Sequence, residues 1–559
     1  MASGKEPCER NEIEIKEIQT RKVDLDTILV QELGQFGWYQ WRVVVLAGLV
    51  VIFMGWTSTE FVFTAGRIRT RCFIPECEPN GVQEFAPTWI LHAVPARDNS
   101  FDNCLRFPNI SSVTNDTCPA QLFDRTRTVK CDKYVYENNN TIAYDYNLAC
   151  DEWRRTLIGS VRTIGTLLTI SISGYLSDRW GRRTVLAIVQ FNTAWLGVLR
   201  YWANSYTMSL VSSLIEAMLG SGGFPCAYIL LMELIGKKYR VVGGAILNTA
   251  FAISHVLLGG IAWVVPNWRI LTLCIYIPQF LAIAYFWIMS ESVRWLMSKG
   301  KYEESEKVLK EIARVNGASL SANSLQSLRN NAEEENRRRH LEKTNNSYEP
   351  WLIATVFQHK PILLRCLVSP VWWITMTLIY YGLSINAVDM AGNRYTNYMA
   401  VSAVEIPGYW IAVFLMNKFG RKIVLITFYW TCAVCQIGYI FISNDQYGLL
   451  LSVYLIGKCS ISIVVTTLYV YTIELYPTGH RNSLLAFTSM IGRVGAILAP
   501  LTPALGKLWT KLPFAIFGGF AFTSGALVFL TPETLGSSLP DTMEQADRIG
   551  DPDTTPRAN

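Results

Sequence analysis

The stretch Gly174-Tyr175-Leu176-Ser177-Asp178-Arg179-Trp180-Gly181-Arg182-Arg183 lies between two long apolar runs, and a weaker copy, Asn417-Lys418-Phe419-Gly420-Arg421-Lys422, recurs later. Asp178 and Asn417 are 239 residues apart. Two further landmarks repeat at nearly that spacing. Glu233-Leu234-Ile235-Gly236 returns as Glu474-Leu475-Tyr476-Pro477 after 241 residues, and Glu291-Ser292 as Glu533-Thr534 after 242. Three matched pairs in one order imply an internal duplication, each copy a bundle of membrane helices. The expected fold is an all-α integral membrane protein with twelve transmembrane helices in two pseudo-symmetric six-helix halves.

Composition agrees. The chain of 559 residues is 50% hydrophobic and 17% charged, whereas soluble domains carry about 25% charge. Hydropathy places twelve spans near 43–64, 155–176, 184–203, 207–231, 242–264, 268–289, 362–385, 397–416, 422–443, 448–472, 483–506 and 513–531. Each matches the roughly 20 residues that cross about 30 Å of hydrocarbon. The organisation expected is a terminal segment at 1–42, a first half at 43–289 that includes a large loop at 66–150, a linker with short helices at 290–361, a second half at 362–531 and a tail at 532–559. Residues 1–41 are polar and mixed in charge, so no cleavable signal peptide is expected before the first span.

Basic residues set the orientation. Arg179, Arg182 and Arg183 follow span two, Lys237, Lys238 and Arg240 follow span four, and Lys418, Arg421 and Lys422 follow span eight. Both termini are therefore expected in the cytoplasm and the protein in the plasma membrane. The net charge of +6 follows this topology and implies no nucleic-acid partner. The loop at 66–150 holds Cys72, Cys77, Cys104, Cys118, Cys131 and Cys150, together with acceptor sequons at Asn109, Asn115 and Asn139. An even cysteine count in a loop unable to build its own core reads as a disulfide-stapled, glycosylated extracellular cap of open connectivity.

Several of these motifs resemble one known group. The stretch 174–183 is similar to the loop between spans two and three of the major facilitator superfamily. Gly34-Gln35-Phe36-Gly37-Trp38-Tyr39-Gln40, the large loop ending Tyr146-Asn147-Leu148-Ala149-Cys150, Glu291-Ser292-Val293-Arg294-Trp295-Leu296, Glu405-Ile406-Pro407-Gly408 and Tyr469–Thr478 resemble the organic cation, anion and carnitine transporters of that superfamily. The chain lacks both prolines of the family's Pro-Glu-Ser-Pro-Arg motif. The resemblance implies a solute carrier, not an enzyme, moving small charged organic solutes by alternating access. It implies Asp178, Arg179, Arg182, Arg183, Glu233 and Glu474 as gate residues, with Asp178 pairing across the seam between halves when the cytoplasmic side is closed. Arg493 stands where the cation branch has aspartate and the anion and carnitine branches have arginine. Tyr409 matches the carnitine branch, where the anion branch has lysine. The expected substrate is therefore zwitterionic and carnitine-like. A cation uniporter, an anion exchanger and a non-transporting sensor are the alternatives.

Ionisable groups inside spans point to the solute path, because each costs about 2.5–3.5 kcal/mol at mid-bilayer. These are Arg162, Glu216, Glu405, Lys458 and Arg493. Arg493 and Lys458 are candidates to hold a carboxylate, with Glu405 nearby, and Arg162 reads as a residue that snorkels outward. Trp373, Thr377, Tyr380 and Ser384 share one face of span seven. Asn248, Phe251 and His255 share one of span five, and Phe224 and Tyr228 one of span four. With Tyr409, these aromatics are the candidate ammonium cage. No nucleotide, metal or catalytic pattern occurs, and Cys432 and Cys435 lie inside span nine. No cofactor is expected, and sodium or a proton remains open as coupling ion.

Overall fold

A computed structural model describes residues 25–78, 84–97, 100–110, 118–345, 352–443, 445–477, 480–536, 540 and 543–549. Among them twelve helices form the bundle. These are α1 (Trp38–Thr64), α2 (Glu152–Trp180), α3 (Arg182–Leu199), α4 (Tyr206–Leu234), α5 (Arg240–Val264), α6 (Trp268–Ile288), α7 (Lys360–Asp389), α8 (Arg394–Phe419), α9 (Arg421–Phe441), α10 (Tyr447–Leu475), α11 (Ser483–Leu505) and α12 (Leu512–Val528). Ten are long and apolar enough to cross a membrane. The others are α3, which opens on Arg182-Arg183, and α12, which is apolar but shorter.

Four spans are interrupted just ahead of a proline, and α1 is also broken at Glu60, with no proline in that span. Breaks at Ser221-Gly222, Ile277, Val404 and Ala499 precede Pro225, Pro278, Pro407 and Pro500. The proline ring clashes with the carbonyl four residues back, which opens the helix there. The interruptions fall where polar groups enter the bundle, since neighbouring helices can satisfy the freed backbone.

One such region is a charge quartet inside the first half. Arg162 of α2 donates to both oxygens of Glu216 on α4, 3.1 Å away at Oε1, and lies 3.6 Å from Glu60 of α1. Arg200 after α3 pairs with Glu60 and approaches Glu216 at 3.9 Å. The Tyr276 hydroxyl donates to Glu216 at 3.2 Å. All four charged side chains are buried. Arg162 therefore does not snorkel: two carboxylates and two guanidinium groups neutralise one another, so no net charge is left in the interior. Sequence reading missed Glu60 and Arg200 because both sit near span ends, where an interfacial position is the ordinary expectation.

The loop at 66–150 is a small folded cap. Thr70–Cys72 pairs with Tyr134–Tyr136, Ala96–Arg97 with Ser100–Phe101, and Leu105–Arg106 with Val129–Lys130, all antiparallel. The six cysteines join as Cys72–Cys131, Cys77–Cys118 and Cys104–Cys150. Contrary to expectation the cap does build a core. Ile74, Ile90, Val94 and Phe123 pack against cysteines of two of these bridges. The cap is too small to rely on apolar burial alone, so sulfur supplies part of the interior. Asn139 is exposed, Asn109 is half-buried and bridges to Phe123, and Asn115 lies outside the described residues. Replacing Cys72 and Cys131 together by Ser is expected to destabilise the cap by about 2–4 kcal/mol. Surface abundance should fall, read by biotinylation of intact cells.

The two halves touch mainly on the face that carries this cap. There Thr59 and Tyr398 share a hydrogen bond of 2.7 Å, Ser160 donates to the Ile497 carbonyl at 2.8 Å, Arg394 to the Arg67 carbonyl at 3.2 Å and Lys507 to the Cys150 carbonyl at 2.5 Å. Pro500 also packs close to Gly159. On the opposite face, helices Tyr302–Asn316 and Ala322–Asn345 of the linker pack on the first half. Asn316 ties them to the start of α1, accepting from the Tyr39 N–H and donating to the Leu33 carbonyl, each at 3.0 Å. The bundle is thus sealed on the cap face.

Candidate solute site

The repeated landmarks build two matching clamps on the linker face. Gly181 and Gly420 both adopt positive φ, 100° and 93°, a backbone that favours glycine. Each turn starts a helix whose first N–H groups need acceptors. Glu291 receives the Arg182 and Arg183 N–H groups at 2.9 and 3.1 Å, and Glu533 receives those of Arg421 and Lys422 at 2.9 and 3.0 Å. A carboxylate there also answers the positive end of the helix. Arg182 then reaches Glu233 at 3.5 Å, and Arg421 reaches Glu474 at 3.0 Å.

Asp178 pairs with Arg182 at 2.9 Å, within its own half, and its side chain is 75% exposed. Among the described residues Asp178 has no ion pair across the seam in this arrangement, which is closed on the cap face; that pairing is expected when the opposite face closes. Arg179 is exposed, and Arg183 rests over the Phe286 ring, 5.0 Å from its centroid. Glu291 and Glu533, read from sequence only as repeat markers, are the capping groups. A Cβ on Gly181 would fall 2.3 Å from Glu291 Oε2. Gly181→Ala is therefore expected to cost about 1–3 kcal/mol in backbone strain and contact. A lower melting midpoint in detergent and a slower initial uptake rate would register it.

In the second half the intramembrane charges divide. Lys458 of α10 lies 2.8 Å from Glu405 Oε1 and donates to the Tyr380 carbonyl at 2.8 Å and to Ser384 Oγ at 2.7 Å. Its ammonium sits 3.7 Å from the Tyr380 ring centroid. The Tyr380 and Tyr409 hydroxyls donate to Glu405 Oε2 at 2.6 and 2.9 Å. Lys458, Glu405, Tyr380 and Tyr409 are all buried. Lys458 and Glu405 hold each other here, with two phenols filling out the carboxylate's shell. Removing either would strand a charge in a dry interior.

Arg493 is different. It is half-buried, and among the described residues no hydrogen bond or ion pair engages its guanidinium. Two glycines bring its helix against α7: a Cβ on Gly492 would lie 2.7 Å from Trp373 Cβ, and one on Gly495 2.2 Å from the Ile374 carbonyl. Close approach of α11 and α7 is possible only without side chains there. Trp373 meets Tyr469 edge to face at 4.5 Å and donates its indole N–H to Thr472 at 3.2 Å. Tyr469 is 41% exposed although it lies within a spanning helix.

The first half contributes a second aromatic group, which begins at Tyr228 on α4. Beside Tyr228 come Phe224, at 6.1 Å between ring centroids, and then Phe251, 5.9 Å from Phe224. Asn248, Phe224, Tyr228 and Phe251 are each half-buried. Beyond Phe251 stands His255, buried, with Ser58 3.3 Å from its Nε2. The fold thus pairs Trp373 with Tyr469 in the second half and gathers Tyr228, Phe224 and Phe251 in the first, while Arg493 has no hydrogen bond or ion pair among the described residues. It withdraws Tyr380, Tyr409, Glu405 and Lys458 into a closed network. Sequence reading missed Tyr469 as a site residue, although its spacing of eleven from Lys458 puts both on one helix face.

This chain matches the family model described as "Sugar (and other) transporter" over residues 125–545. It is 30% identical over 533 residues to the organic cation transporter protein of Drosophila melanogaster, covering 93% of this chain and 94% of that one. To solute carrier family 22 member 7 of Mus musculus it is 28% identical, covering 93% and 97%. Among solved structures, the inward open conformation of the xylose transporter XylE from E. coli superposes with a TM-score of 0.60 at 14% identity, covering 92% of this chain and 100% of that one. That likeness fixes the twelve-helix, two-half architecture; the relatives are transporters of organic solutes and not enzymes. With a duplicated bundle, paired clamps and relatives matched over nearly its whole length, this multi-pass membrane protein belongs to the major facilitator superfamily, in its organic cation and anion transporter family.

Proposed function

We propose that the protein is a plasma-membrane carrier for small zwitterions of the carnitine type, in which one solute bears a carboxylate and a substituted ammonium. The cap faces outward, both termini lie in the cytoplasm, and solute moves by rocking of the halves about the site at Arg493. The observation that carries this reading is the guanidinium of Arg493, without a hydrogen bond or ion pair among the described residues, on a helix packed against the one that carries Trp373. Arginine pairs a carboxylate through two parallel hydrogen bonds. The aromatic faces across the seam attract an ammonium by about 0.5–2 kcal/mol. A plain cation would meet Arg493 without compensation. At this site a dianion would find Arg493 alone of the two candidate cations, because Lys458 is held by Glu405.

The test is uptake into proteoliposomes of labelled L-carnitine, tetraethylammonium and glutarate, with sodium and proton gradients imposed in turn. Saturable carnitine accumulation is expected, exceeding that of the other two. Tetraethylammonium or glutarate as the preferred solute would overturn the zwitterion reading. Binding without flux of any of the three would turn the protein into a sensor.

A further inference from the structure

A second enclosure lies at the cap face, away from Arg493. It has a volume of about 240 Å³ and three kinds of wall: the ends of α1 and α5 in the first half, the turn from α7 to α8 in the second, and residues 137–141 at the base of the cap. Ligand pockets commonly span about 300–1,000 Å³, so an occupant here is small.

Four charged side chains line it: Arg67, Glu137, Asp389 and Arg394. Two have partners of opposite charge. Arg67 pairs with Glu152 at 3.2 Å, and Glu137 lies 3.9 Å from Arg69. The other two have none among the described residues. Arg394 donates only to the Arg67 carbonyl, and Asp389, an exposed side chain at the rim, forms no hydrogen bond or ion pair. Arg155 is committed to Glu152 at 2.6 Å and to the Ala65 carbonyl at 2.8 Å. One carboxylate and one guanidinium, five positions apart in sequence, thus face the same small volume unpaired. Tyr395 supplies a fixed aromatic wall, stacked on Phe63 at 5.6 Å and on Trp263 at 6.3 Å.

We propose that this enclosure is a second ligand site, for small zwitterions that set an ammonium at Asp389 and a carboxylate at Arg394. A cation alone would leave Arg394 uncompensated, and an anion alone would leave Asp389 so. A ligand with both charges satisfies both unpaired groups, and its methyl groups can rest on Tyr395. This ligand class follows from these side chains and is independent of the site at Arg493.

Equilibrium binding of labelled L-carnitine to the purified full-length protein tests it. Two sites per chain are expected. Asp389→Asn and Arg394→Gln should each weaken one at least tenfold and leave the other unchanged, while Arg493→Ala should weaken the other. Asp389→Glu, which keeps the charge, should retain most of the outer binding. Equal loss in Asp389→Glu and Asp389→Asn would mark a packing effect and overturn the assignment. In the Arg493→Ala protein, choline or butyrate should displace carnitine poorly; displacement by either as effective as by carnitine itself would remove the zwitterion class. A single site that is insensitive to Asp389→Asn and Arg394→Gln would overturn the proposal. A single site lost in Asp389→Asn but kept in Arg493→Ala would uphold it and overturn the central reading instead.

Discussion

Arg493→Ala is expected to cut kcat/KM for carboxylate-bearing solutes by roughly 10- to 150-fold, the loss of about 1.5–3 kcal/mol for hydrogen bonds to a charged group. The guanidinium has no protein partner among the described residues, so its removal strands no buried carboxylate. Folding should therefore be nearly unaffected, and the melting midpoint in detergent should stay close to wild type. The loss should appear mainly in KM if the contact is equal in the bound and moving states. Arg493→Lys keeps the charge but not the fork, and should fall between wild type and Ala. Arg493→Asp should favour cations over zwitterions in the uptake panel. Unchanged kinetics in Arg493→Ala, with surface abundance matched, would move the solute site elsewhere along the seam.

Breaking the first-half quartet should have the opposite profile. Glu216→Gln leaves Arg162 and Arg200 facing one carboxylate, Glu60, in a region where all four charged groups are buried. Removing one member of a buried ion network typically costs about 3–5 kcal/mol, because the remaining charge is desolvated without compensation. The expected result is loss of folded protein, seen as a collapsed monodisperse peak and little surface signal. Removing a whole pair, Arg162→Met with Glu216→Leu, leaves the Glu60–Arg200 pair intact and should recover most of the folded yield. A stable Glu216→Gln protein would mean that water reaches the quartet. The contrast between the two experiments separates a charge kept for a ligand from charges kept for the fold.

The twelve spans were legible because a membrane demands long apolar helices whatever their neighbours. The observed helices overlap every predicted span, and the proline breaks at Pro225, Pro278, Pro407 and Pro500 follow from local sterics. The site was legible only in part. Arg162, Glu216, Glu405, Lys458 and Arg493 look alike on a hydropathy reading, since each is an ionisable residue in an apolar run. Their different environments depend on partners on other helices, such as Glu60 with Arg200 and Glu405 with Lys458. Tyr469 was hidden for the same reason: its 41% exposure is set by how the neighbouring helices pack.

The sequence alone determined the duplication, the spans and the turns at Gly181 and Gly420, because periodicity, chain length and backbone sterics act locally. Tertiary structure decided the disulfide pairing, the capping roles of Glu291 and Glu533 and the seal on the cap face. It also decided which buried charges neutralise each other. A charge is free or paired according to what lies within a few ångströms, and in a helical bundle that neighbour is set by packing between distant segments.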